Sequence, residues 1–66
     1  MEFKKNSQEV FRNAINNCIL SSNPSKPNYA GNFMYMHSQD NIDYFKHKLT
    51  RRYGYDKESI KNALIL

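Results

Sequence analysis

The stretch "NFMYMHSQDNIDYFKH", residues 32–47, constrains this chain more than any other part of it. Its first half, "NFMYMH", is β-prone and preceded by Gly31, and an extended segment must find partners for its backbone N–H and C=O groups. If residues 40–53 were helical, that strand would have only "EFKK" near the N-terminus to pair with. If "IDYFKHKLT" is extended, the two halves pair with each other through "QDNI", whose Asp40-Asn41 centre tolerates tight-turn geometry. Tyr, Phe, Thr and Ile favour strand, while Asn, Asp, His and Thr are weak helix formers. The pattern predicts a β-hairpin.

A helical alternative exists for the same residues. From Asp40 on, Ile42, Phe45, Leu49 and Tyr53 fall on one side of a helix, and Gly54 stands where a left-handed C-terminal residue belongs. With helices before and after it, the result is an all-α three-helix chain containing a helix-turn-helix, with Thr50 four residues before the turn glycine. The recognition helix would then begin "DKESIKNAL", whose mixed charges suit phosphate contact poorly.

The flanks read as helices. Asn6 with Glu9 three residues on resembles a capping box and opens a helix over residues 7–20. Val10, Phe11, Ala14, Ile15, Cys18 and Ile19 form its apolar stripe, which makes Cys18 a small buried hydrophobe of low reactivity. "SSNPSKPNYAGN", with two prolines and one glycine, is a loop. A last short helix starts near Lys57 with Asp56 as N-cap and Tyr55 stapled against Ile60. Ile60, Ala63 and Leu64 share a face, and Ile65 and Leu66 extend it toward the core or a second subunit. The expected fold class is thus α+β, a single small domain over residues 1–66 built as helix, β-hairpin, helix.

Length limits how such a chain is stabilised. At 66 residues the core is thin, the single cysteine excludes an internal disulfide, and no Cys/His cluster has zinc spacing. No metal and no cofactor are expected, and a homodimer is a natural way to complete the core. "MEFKKNSQEV" lacks the apolar region of a secretory signal, no run reaches the length of a membrane span, and the expected address is the cytoplasm without a membrane partner.

Ten Lys/Arg against six Asp/Glu give a net charge of +4, a moderate positive field that favours anionic partners. With a two-residue turn at Asp40-Asn41, Met36 faces Phe45, Met34 faces His47 and Tyr35 faces Lys46. Alternation then puts Met34, Met36, Phe45 and Leu49 on a core face. Phe33, Tyr35, His37, Tyr44, Lys46, Lys48 and Arg52 fall on the other, unless a register shift swaps a strand's faces. Rings interleaved with cations on a sheet can stack bases and follow phosphates. Phe33, Tyr35 and Tyr44 are the candidate stacking residues, and Lys46, Lys48, Arg51 and Arg52 the candidate cations for DNA or RNA. The expected function is that of a small basic, non-enzymatic regulatory or accessory protein. The alternative is a protein-interaction module or homodimeric accessory factor that binds no nucleic acid. A small RNase using His47 between Lys46 and Lys48 is a third reading, although the hairpin register turns His37 and His47 to opposite faces.

The order helix, strands, helix on a short basic chain is similar to the double-stranded-RNA-binding domain, with "KPNYAG" near the position of that family's loop and "DKESIKNAL" at its second helix. Two departures stand out: Glu58 and Ser59 occupy the helix start, and the chain after the hairpin leaves no room for a third strand.

Overall fold

A computed structural model describes residues 2–65 and shows a mixed α+β arrangement. In chain order the elements are β1 (Glu2–Phe3), α1 (Ser7–Asn16), a 3-10 turn (Ala30–Asn32), β2 (Phe33–Gln39), β3 (Ile42–His47), β4 (Tyr53–Gly54) and α2 (Lys57–Ala63). The strands form one antiparallel sheet in the order β1-β2-β3-β4. Residues 42–47 are strand, so β3 stands where the all-α alternative needs its middle helix, and Gly54 lies in β4 without a positive φ. A third strand of the meander does fit. It is two residues long because a tight loop returns the chain at once: the Arg51 N–H donates to His47 O at 3.0 Å, the His47 N–H to Arg52 O at 2.9 Å, and Arg51 takes a φ of 65°.

The cap of α1 follows the sequence, and its end does not. The Asn6 Oδ1 accepts the Glu9 N–H at 3.3 Å, but the helix stops at Asn16, short of Leu20. Cys18 adopts a φ of 60°; its N–H donates to Ile15 O at 3.0 Å and the Ile19 N–H to Ala14 O at 2.9 Å. This is the doubly bonded left-handed helix end usually built on glycine. The reversal turns Cys18 out to solvent, contrary to its expected burial, and returns Leu20 to the core.

At α2, Asp56 is the N-cap of a complete capping box. Its carboxylate accepts the Ser59 N–H at 2.8 Å, and the Ser59 Oγ accepts the Asp56 N–H at 3.0 Å. Ile60 and Ala63 are buried and Leu64 packs beside them. Ile65 is exposed and so adds nothing to the core, while Leu66 lies outside the described residues. Gly54 lets α2 lie directly on β4, since a Cβ there would sit 2.9 Å from Ile60 Cα.

The hairpin turn is as expected, and the register beyond it is not. Asp40 and Asn41 have φ of 53° and 65°, the pair of positive values that matches a two-residue turn to strand twist. Gln39↔Ile42, Ser38↔Asp43 and His37↔Tyr44 follow from it. Then a β-bulge between Tyr35 and His37 shifts the ladder, giving Tyr35↔Phe45, Met34↔Lys46 and Phe33↔His47. One extra residue in β2 reverses the face of everything before it. Phe33 and Tyr35 therefore turn toward the helices, and Met34 takes the opposite side beside Lys46. The expected core face of Met34, Met36, Phe45 and Leu49 keeps only Phe45; Leu49 is 81% exposed. The core consists of Val10, Ala14, Leu20, Phe33, Phe45, Ile60 and Ala63, and it binds both helices to the same side of the sheet.

Candidate nucleic-acid interface

The second side of the sheet is where the remaining aromatics gather. His37 of β2 stacks on Tyr44 of β3, centroids 5.1 Å apart and planes 25° from parallel. His37 also lies 6.5 Å from Tyr53 of β4, and Tyr44 lies 5.4 Å from Tyr55. Lys46 holds its Nζ 5.6 Å from the centre of the Tyr53 ring, within cation–π range. The bulge makes this cluster possible, because it lets Phe33 and Tyr35 face inward while His37, one step past the extra residue, faces outward. Tyr55 packs on Tyr44 here.

Asp43 and Asp56 are engaged away from this cluster. Asp43 faces the helices, where its Oδ1 accepts the Ser38 hydroxyl at 2.6 Å and pairs with Lys5 Nζ at 3.1 Å. With Ser38 donating to Asp43, the Tyr35 hydroxyl donates to Ser38 Oγ at 2.6 Å and itself accepts the Lys5 N–H at 2.9 Å. Asp40 sits in the hairpin turn, and Asp56 is committed to its cap, where the Ser59 hydroxyl and then the Ser59 N–H hold its carboxyl below the usual carboxylate range.

The residues singled out from the sequence divide accordingly. Tyr44 and Lys46 lie together on the outer side. Arg51 and Arg52 are exposed in the loop at the Lys46 end, without an ion pair among the described residues. Lys48 is also in that loop but donates from Nζ to Gly31 O at 2.7 Å. Phe33, 2% exposed, is a core ring and offers no surface for stacking; Tyr35 packs against the same core with its hydroxyl engaged. Tyr53 and Tyr55 were not among the candidates. The signal for them is the alternation Tyr-Gly-Tyr, which places both rings on one side of a short strand.

His47 belongs to the opposite side from His37. It is buried, its ring edge meets Phe33 at 4.9 Å, and its Nδ1 accepts the N–H groups of Leu49 (3.1 Å) and Thr50 (3.2 Å). The side chain thus braces the loop that carries Arg51 and Arg52. Among the described residues no group of three His, Cys, Asp or Glu could hold a metal ion, and no helix is long and apolar enough to cross a membrane. Comparison with protein-family models, with curated proteins and with solved structures finds no match to this chain.

Proposed function

We propose that this protein is a non-enzymatic accessory or regulatory factor that binds nucleic acid through the outer side of its sheet. The observation that carries the reading is the cluster of His37, Tyr44, Tyr53 and Tyr55 with Lys46 among them, on a side that is covered by neither helix. Rings supply stacking surface for bases, and Lys46, Arg51 and Arg52 supply charge for phosphates.

The test is fluorescence anisotropy of labelled DNA and RNA oligonucleotides against salt. Three phosphate contacts give a slope of log affinity on log salt of about −2 to −3. Lys46→Ala combined with Arg52→Ala should flatten that slope and weaken binding by roughly tenfold at low salt. No anisotropy change with any oligonucleotide at low salt refutes the reading. If the protein then runs as a dimer in solution, the homodimeric interaction module takes its place.

A further inference from the structure

The loop between β3 and β4 holds an apolar side chain in water. Leu49 is 81% exposed, the most exposed of the large hydrophobic residues described. A lone exposed leucine is common on protein surfaces, but this one stands on a loop whose backbone donors are all tied down. The N–H groups of Leu49 and Thr50 both donate to His47 Nδ1, at 3.1 and 3.2 Å. The Lys48 N–H donates to Asn32 O at 2.9 Å, the Arg51 N–H to His47 O at 3.0 Å, and the Arg52 N–H to Thr50 Oγ1 at 3.2 Å. The Thr50 hydroxyl in turn donates to Ala63 O of α2. Residues 48–52 therefore need no water for their N–H groups and can enter an interface without leaving a donor unpaired. What the loop offers outward is the Leu49 side chain, with Arg51 and Arg52 exposed two and three positions on.

An apolar tip beside cations fits a partner that is anionic outside and apolar within. A stack of bases behind its phosphates is built that way, and Tyr53 of the ring cluster follows the loop directly. We infer that Leu49 is a wedge that enters between two adjacent base pairs of a duplex, with Arg51 and Arg52 on the phosphates that flank the opened step. The inference rests on the nucleic-acid reading above and names the form of nucleic acid and the residue that opens it. In a duplex both faces of a base are covered by its neighbours, so a ring can stack on one only where a step has been opened. An inserted aliphatic side chain makes that opening and kinks the duplex. Pyrimidine–purine steps such as TA unstack most readily, so they are the steps such a wedge selects.

The experiment uses the full chain at low salt and a DNA duplex of about twenty base pairs with one central TA step and a fluorescent donor and acceptor at its two ends. Anisotropy reads binding, and energy transfer between the ends reads the kink, for which aliphatic wedges give about 20–90°. The parent should bind and raise the transfer. Leu49→Ala should lose most of that rise and bind roughly tenfold more weakly, whereas Leu49→Met, which keeps an apolar side chain of similar length, should retain both. A duplex bound without a rise in transfer, a rise that Leu49→Ala leaves unchanged, or binding confined to single strands overturns this inference and leaves the broader reading standing. No binding by any oligonucleotide removes both. Sedimentation of the parent, but not of Leu49→Ala, with phosphatidylcholine–phosphatidylserine vesicles would then assign the loop to an anionic bilayer instead.

Discussion

Cys18 holds a left-handed backbone, φ 60°, at a position where glycine is the usual residue. An L side chain in that region costs about 1–2 kcal/mol, and it persists because the Ile19 N–H must reach Ala14 O for Leu20 to enter the core. Cys18→Gly should therefore raise stability by about 1 kcal/mol, offset in part by the greater freedom of glycine in the unfolded chain; the midpoint of urea unfolding measures it. The caps at Asn6 and Asp56 were legible in the sequence because a cap is made by residues three positions apart. The end of α1 was not. Ile15, Cys18 and Ile19 keep helical spacing past Asn16, and no glycine marks the stop, so only the pull of Leu20 into the core reveals it.

The β2–β3 hairpin shows the same division between local and distant causes. Its turn was readable, since Asp40 and Asn41 are residue types that accept positive φ. Its bulge was not, because nothing between Tyr35 and His37 announces an extra residue. The bulge is settled by what lies across the sheet: Phe33 and Tyr35 face Phe45 and the helices, while His37 joins Tyr44. Met36 is then the residue that regular pairing omits. Deleting it should join Tyr35↔Phe45 directly to His37↔Tyr44 and leave both sides of the sheet intact. The expected cost is no more than about 1–2 kcal/mol from lost strand twist, with circular dichroism and thermal unfolding close to the parent's. Loss of cooperative unfolding in that variant would show that Met36 is needed for more than register. Two of the seven candidate interface residues face the helices for this one reason: Phe33 and Tyr35 precede the bulge, while Tyr44 and Lys46 lie on the strand it does not displace.

Across the whole molecule a small core is shared by both helices, so loosening either one exposes the sheet. The cap of α2 gives this a pH dependence. Hydrogen bonds from Ser59 hold the Asp56 carboxyl below its ordinary range, so its folded pKa lies below its unfolded value near 4. The stabilisation it provides is complete above that unfolded value and is lost as pH falls through the folded one. Melting temperature should accordingly hold from neutral pH down to about 4 on account of this group and fall below it, and Asp56→Asn, which keeps an acceptor at the cap, should remove that share of the acid loss. Equal acid loss in both proteins would place its origin elsewhere.

By itself the sequence determined the local events: two capped helices, a turn at Asp40-Asn41 and a hairpin able to satisfy its own backbone groups. These depend on residues a few positions apart, where propensity and hydrogen-bond geometry act directly. The tertiary structure decided where α1 ends, that β4 exists, and which rings of β2 are buried. Each of those is a competition among distant side chains for one small core. Phe33 won a place in it and His37 did not, which is why the outer aromatic side consists of His37, Tyr44, Tyr53 and Tyr55.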